Sequence, residues 1–489
     1  MSAADGRFPA RAVRLLAGIV VCSGIVRAAG LLQHSTMPDE AFTFFIAAHP
    51  LPAIFALLRS ADFHPPLIYI IGHVLFAFSQ RAYLFRIVTA LFGLAGVLAT
   101  YAVARRCVPR SALFAALLVG CNATLVFFDG FFRMYAPLWA LSMIAWACLL
   151  WALDGEARWQ RWAAYAGAAA ALLYTQYLAF FIIAAQCGYV LALRRRSRAF
   201  WFAIGAAFAV FAPWIPTLLV QYPLGGSAYA ALRGHWDQIA LLPALLLIDG
   251  VPLSLETSPW TTAALWLLIL AGLWLVIRQR QWLLLFLVTP LLAQFVYSLG
   301  SGKLLLGQRY LIYAVPPLVL LVLNVAGWLQ SRPRARFAGS AIVAALLTLA
   351  LAGTADKHFL AQYKPLDWGT YRQFLETHMQ PGDGIVFDGA LVYYVLYGST
   401  AVNARPVYLV SNATQARAAA HHVAGLRRVW YVDYQSELPD PQHVAFHLLA
   451  KTHPERTSWR SIGSGYGDVV LTTLFVAPRE RGPKRTMRT

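Results

Sequence analysis

Charge is the first thing this chain is short of. Only 12% of its 489 residues are Asp, Glu, Lys or Arg, about half the ~25% of an ordinary globular domain. Acids are scarcer than bases, 21 against 40, and only five of the bases are lysine. Cysteine is nearly absent. Cys22, Cys107, Cys121, Cys148 and Cys187 all lie in or beside apolar stretches, at no metal-ligand spacing. They read as core thiols, with no disulfide framework. No glycine-rich phosphate loop of the Walker or dinucleotide type occurs. These shortages exclude a soluble globular enzyme, a disordered chain and a coiled coil. The net charge of +19 would suit nucleic acid, but the basic residues come in short clusters that punctuate apolar runs, so no nucleic-acid partner is expected.

What the chain has in abundance is hydrophobic length. It is 59% hydrophobic, with sixteen Trp. Runs near the ~20 residues that a bilayer core demands occur near 13–33, 82–104, 111–128, 134–153, 163–176, 177–193, 199–219, 259–277, 282–298, 311–329 and 337–354. The expectation is an α-helical polytopic membrane protein of about eleven spans, its first helix an uncleaved span. Connecting loops give the orientation. With the N-terminus inside, seventeen arginines cluster in the inner segments and seven basic residues in the outer ones, as the positive-inside rule asks. Residues 67–78 and 238–248 are apolar but short, and they read as interfacial helices in two large outer loops, 34–81 and 220–258.

The character changes after residue 354. Residues 355–489 hold no run long enough to span. Short β-like stretches (IVFDG, VYLV, RRVWYVDY, DVVLTTLFVA) alternate there with helix-like ones (DWGTYRQFLETHM, ATQARAAAHHVAGL, PQHVAFHLLAKTH). That alternation predicts a small α/β domain. An odd number of spans puts it on the outer, periplasmic side. The organisation expected is therefore a transmembrane domain over 1–354 and a periplasmic domain over 355–489.

Polar chemistry collects on the predicted outer face. The first loop carries Asp39, Glu40, Asp62 and His64, and the next outer turn Asp129, Arg133 and Tyr135. Tyr174, Gln176 and Tyr177 follow, then Glu256, then Lys303, Arg309 and Tyr310. Ionisable groups gathered at one membrane face mark a functional site. Residue by residue, the alternatives stay open. Asp39-Glu40 follow Pro38 and suit a helix start, Arg133 and Arg309 suit snorkelling at an interface, and His64-Pro65-Pro66 suits a rigid turn. The adjacent pair His421-His422 reads as a solvated helix face, because neighbouring side chains on a helix diverge.

The ordered series MPDEAFTF, DFHPPLIYIIGHVLF, RAYLFRIVTALFG, FFRMYAPLWAL, LLYTQYLAFF, APWIPTLL and GQRYLIYAVPPL resembles the GT-C glycosyltransferases. These membrane-embedded enzymes depend on polyprenyl-phosphate-linked sugars. They include protein O-mannosyltransferases and the aminoarabinose transferases that modify lipid A. The resemblance covers most of residues 13–330 and, more loosely, the C-terminal domain from Asp367-Trp368. It implies a bacterial inner-membrane enzyme that passes a sugar from a polyprenyl-phosphate donor to an envelope lipid, glycan or protein, with inversion at the anomeric carbon. Asp39 matches the general base and Glu40 its neighbour in the motif. Such a transfer needs a base for the acceptor proton and cations for the leaving phosphate. Arg309, with Lys303, Arg133 and Tyr310, supplies the latter. Asp62, His64, Asp129, Tyr135, Tyr174, Gln176, Tyr177 and Glu256 are the candidates for binding sugar and acceptor. No metal ligand set is assigned, although acids of the first two outer loops have the oxygen chemistry for Mg²⁺ or Mn²⁺. The chain departs from the pattern twice. Phe131 stands where relatives often carry Glu, and Gln176 where they often carry His. A glycan polymerase or ligase would share this topology. A lipid or glycan transporter would show repeated halves and midplane charges, which the sequence lacks.

Overall fold

The computed structural model describes residues 10–31, 36–154, 158–194, 197–224, 236–251, 255, 257–301, 305–359, 367–389, 391–396, 399–434, 440–462 and 469–478. The chain divides into two compact units. One comprises Met1–Gln33 with Ile46–Leu360, the other His34–Phe45 with Ala361–Thr489.

The first unit is helical. Among the described residues, eight helices are long and apolar enough to cross a bilayer: Ala10–Leu31, Ala82–Cys107, Tyr135–Leu153, Arg198–Tyr222, Pro259–Arg278, Trp282–Ser301, Gln308–Gln330 and Pro333–Lys357. A ninth forms if the pair Pro109–Gly120 and Ala123–Asp129, bent by 52°, counts as one span. The other two of the eleven expected runs are helices too, but Trp159–Leu173 has 15 residues and Ala179–Ala192 has 14, short of the ~20 a crossing needs. The bend has a local cause. Asn122 leaves the helical conformation and caps the second half, its side chain accepting from the Leu125 N–H at 3.0 Å. Its amide nitrogen donates to the Leu246 carbonyl at 2.9 Å.

Helices apolar on every side belong inside a bundle. Tyr135–Leu153 and Val315–Gln330 are such helices, and Trp139, Trp146, Leu320 and Leu323 are fully enclosed. Peripheral helices leave Phe202, Trp260 and Phe337 largely exposed, which suits hydrocarbon and not water. The stretches expected to lie flat are helices as well, Leu67–Phe76 and Trp236–Leu247.

The second unit is the small α/β body expected. Its strands are β1 (Gly384–Asp388), β2 (Val407–Val410), β3 (Arg428–Asp433), β4 (Glu455–Ile462) and β5 (Val469–Val476), in the order β2-β1-β3-β5-β4. β1 pairs in parallel with β2 and β3, and β5 pairs antiparallel with β3 and β4. Alternate residues feed two cores. Ile385, Phe387, Trp430 and Val432 pack with Trp368 and Leu375 on one face. Val386, Val429 and Tyr431 pack with Ala419, Val423 and Leu449 on the other. Burial on both faces is the mark of parallel strands covered by helices. Asp367 caps Trp368–His378 and Asn412 caps Ala413–Val423, each satisfying amides that the first turn leaves open. The segment 34–45 belongs to this unit: Phe42 and Phe45 pack on Tyr394 with ring centroids 4.9 and 5.0 Å apart.

At the carboxyl end of β1, Asp388 is completely buried. Tyr431 donates to its Oδ2 at 2.6 Å, while Oδ1 has no partner among the described residues. Burial, reinforced by the charges of Asp440 and Asp433, pushes its carboxyl up to about 7 against the pull of the Tyr431 hydroxyl. The folded state therefore holds a proton that the unfolded chain releases near pH 4. Stability from this group is full below pH 4 and is lost as pH rises through 7. Hydrogen exchange of β1 and β3 in the full-length protein, corrected for intrinsic rates, should show weaker protection at pH 8 than at pH 5. Asp388→Asn should remove that difference, and equal protection at both pH values in the unmodified protein would contradict the assignment.

Candidate functional site

In the first unit the polar residues converge on the loop that joins the helices Leu51–Ala61 and Leu67–Phe76. Asp62, next after the first helix, is buried. Its Oδ1 accepts from the Phe63 N–H at 2.7 Å and from His64 Nδ1 at 2.8 Å, and its Oδ2 accepts from the Tyr69 hydroxyl. Arg133 Nη1 donates to the same hydroxyl at 3.3 Å. Burial works against the Asp62 carboxylate, but His64, Arg133 and Tyr69 outweigh it and hold the carboxyl below its ordinary value. Burial and the Asp62 charge push Tyr69 well up, so it stays a donor. With its Nδ1 proton given to a carboxylate, His64 has Nε2 left for chemistry. The Leu67 N–H donates to the Tyr174 carbonyl at 3.0 Å, tying this loop to the turn that carries Tyr174, Gln176 and Tyr177.

These contacts bring Asp62, His64 and Arg133 together and place the Tyr174–Tyr177 turn beside them, with Tyr69 as the residue the sequence reading missed. The signal for it was present, since Tyr69 lies seven residues beyond Asp62 on the helix that follows His64-Pro65-Pro66. In the turn, Gln176 is buried, and its Oε1 has no partner among the described residues, leaving an acceptor suited to a donor such as a hydroxyl. The Tyr177 hydroxyl is occupied, accepting from Trp214 Nε1 at 2.9 Å and donating to Gln221. The Tyr174 hydroxyl donates to the Val210 carbonyl at 2.7 Å.

Asp129, expected to bind substrate, is fully buried and engaged by side chains of the bundle. Arg27 Nε and Nη2 reach its Oδ2 at 2.9 and 2.8 Å, and Trp139 Nε1 reaches Oδ1 at 2.9 Å. Arg27 is also held by the Gly120 carbonyl at 2.8 Å and by the Ser23 hydroxyl. Arg27, deep inside the first apolar run, was the available signal. Tyr135 is buried as well, edge-to-face with Phe128 at 5.0 Å.

Arg309 projects from the one-turn helix Gln308–Leu311, exposed and with its guanidinium 5.1 Å from the buried Tyr310 ring. Lys303 and Glu256 lie outside the described residues. Asp39 and Glu40 occupy the first turn of the helix Pro38–Ala47, in the second unit, with Glu40 fully buried and the Thr43 hydroxyl donating to the Asp39 carbonyl at 3.1 Å.

A divalent ion would need oxygen lone pairs free to coordinate it. Asp62 and Asp129 give theirs to N–H and O–H donors, and among the described residues no three of His, Cys, Asp and Glu gather as a metal set. Asp62 and Asp129, already engaged in this way, do not fit a Mg²⁺ or Mn²⁺ site.

No protein-family model matches the sequence, and no curated protein matches it. Solved structures do match it. ArnT from Cupriavidus metallidurans in the apo state aligns over 95% of this chain and 98% of its own, with a TM-score of 0.52 at 13% identity. The oligosaccharyltransferase AglB from Archaeoglobus fulgidus, in complex with an inhibitory peptide and a dolichol-phosphate, aligns over 85% of this chain and 69% of its own, with a TM-score of 0.51 at 12% identity. The Archaeoglobus fulgidus oligosaccharyltransferase complex with zinc and sulfate gives a TM-score of 0.54 at 13% identity, over 84% and 67%. The chain thus has the fold of the GT-C membrane glycosyltransferases, as its motifs implied.

The ion pair supplies a test of this geometry. Removing one partner of a buried pair costs about 3–5 kcal/mol, while replacing both by apolar residues is often neutral. Arg27→Met and Asp129→Leu should each lower the unfolding temperature in detergent sharply, and the double substitution should recover most of the loss. A double variant as unstable as the sum of its parts would show that the two charges do not act as a pair.

Proposed function

We propose that the protein is a membrane glycosyltransferase that moves a sugar from a polyprenyl-phosphate donor to a lipid, glycan or protein acceptor. Transfer would occur at the periplasmic face of a bacterial inner membrane, inverting the anomeric centre. The observation that carries this reading is the shared fold, spanning nearly the whole of this chain and of ArnT. The dolichol-phosphate bound by AglB supports a lipid-phosphate donor, and its inhibitory peptide supports an acceptor site in the same fold.

The chemistry divides among this chain's residues. Asp39 takes the acceptor proton as its oxygen attacks the anomeric carbon, and Glu40 supports that motif. The bond to the phosphate oxygen breaks without a general acid, because a polyprenyl phosphate leaves readily as an anion. Arg309 receives that growing charge through its two-pronged guanidinium, with Lys303, Arg133 and Tyr310 assisting. His64, oriented by Asp62, and the amide of Gln176 bind hydroxyls of the sugar or acceptor.

Asp39→Asn keeps the shape and capping ability of the side chain but removes the base. It should lower turnover ~10²–10⁴-fold while the protein stays folded and binds donor lipid, and Glu40→Gln should hurt less. Full activity in Asp39→Asn would move the base elsewhere. The orientation has its own check. Asn412→Cys, at an exposed cap of the C-terminal domain, should react with an impermeant thiol reagent in spheroplasts. Reaction only after lysis would reverse the topology.

A further inference from the structure

Gln308–Leu311 is the first turn of the span Gln308–Gln330, running through the tighter turn Ile312–Ala314 into Val315–Gln330. Tyr310 and Leu311 are buried, as are the three residues that follow, and Arg309 is the exposed side chain among them. Its neighbour Gln308 is anchored instead. Gln308 Nε2 lies 2.7 Å from Asp249 Oδ2, 2.7 Å from the Leu245 carbonyl and 2.8 Å from the Thr124 hydroxyl. Asp249 Oδ2 accepts from the Thr124 hydroxyl at 2.9 Å and pairs with Lys357 Nζ. Both members of that pair are buried, and the Lys357 ammonium sits 4.6 Å from the centre of the Phe127 ring.

Two glycines make the approach close enough. Gly250 has φ +84, and a Cβ there would come within 2.4 Å of the Gly353 carbonyl oxygen. A Cβ on Gly353 would come within 2.2 Å of the Asp249 carbonyl oxygen. The turn carrying Asp249 therefore lies directly on the helix Arg336–Phe359, four residues from Lys357. Four segments remote in sequence meet at one carboxylate oxygen.

Stability alone is a poor reason for such a construction, since apolar packing of the same volume often does as well as a buried ion pair. Orientation is a better one. A guanidinium grips a phosphate with two parallel N–H groups only when its fork faces the right way, and groups that touch no ligand commonly fix those that do. We propose that Gln308, anchored by the Asp249–Lys357 pair, is the positioning residue that sets the direction of Arg309 toward the donor phosphate. This rests on the reading of Arg309 as a phosphate ligand.

The test is a double-mutant cycle on the full-length protein in nanodiscs, with undecaprenyl phosphate as the probe. Arg309→Ala should weaken binding ~30-fold and Gln308→Leu ~10-fold, with Gln308→Leu adding nothing once Arg309 is gone, because coupled residues are non-additive. If Arg309→Ala leaves binding unchanged, the donor-site reading itself falls. If Arg309→Ala weakens binding but Gln308→Leu is neutral, or its loss persists in the Arg309→Ala background, the positioning role alone is overturned. Should Gln308→Leu fail to fold, Thr124→Val removes one contact of the same amide and decides the matter through a ~2–3-fold loss that must likewise vanish without Arg309.

Discussion

Arg27 and Asp129 are two full charges inside an apolar bundle, and the geometry around them admits little variation. Isolated, either would be expelled or neutralised. Together they hold three helices at one point, Ala10–Leu31, Ala123–Asp129 and, through Trp139, Tyr135–Leu153. Gly93 of Ala82–Cys107 completes the set, because a Cβ there would stand 2.2 Å from the Asp129 carboxylate. The hydroxyl of Thr89, on the same helix, donates to the Asp129 carbonyl at 2.9 Å. The turn after Asp129 thus leaves the bundle from a fixed point. That turn delivers Arg133 to the Tyr69 hydroxyl, and Tyr69 in turn reaches Asp62 and, through it, His64. A buried charge pair so helps determine where the Arg133 guanidinium stands.

Much of this was legible in the residues. Apolar run length located every long helix, and alternation of β-like with helix-like segments located the C-terminal body. Legibility failed where a local rule lost to a tertiary one. The run 111–128 reads as one helix because its hydrophobicity is continuous. Asn122 breaks it because a side chain can cap, and its amide finds Leu246 across 124 positions of sequence. Strand β4 escaped notice because Glu455–Ile462 is mostly polar, and its Trp459 meets the core by stacking on Trp430 at 5.5 Å. At the site, residue type singled out Asp62, His64, Arg133 and Asp129 alike, and the structure joins the first three through Tyr69. An acid in an outer turn looks the same whether it faces a cavity or an arginine 102 positions away.

The division into two bodies also could not be read from sequence order. The acid pair of the first loop precedes most of the membrane helices, yet its helix start packs with residues of the C-terminal domain through Phe42, Phe45 and Tyr394. Hydropathy assigns a segment to membrane or water, but it says nothing about which body a short helix packs with, and here the residues through Phe45 group with the C-terminal body.

Among the described residues β2 and β4 form the margins of the C-terminal sheet, and each is made unattractive to other chains by different means. β2 is only four residues long, too brief to template a partner. β4 is eight residues long, which would be an open invitation, but it carries Glu455, Arg456 and Arg460 along its length, and the Arg456 guanidinium lies 5.7 Å from the Phe446 ring. Charged side chains on a free margin discourage strand addition. A protein crowded at high density beside its neighbours in a two-dimensional layer faces this hazard more than one dispersed in solution. The short β2 and the charged β4 are features that oppose such strand addition between copies.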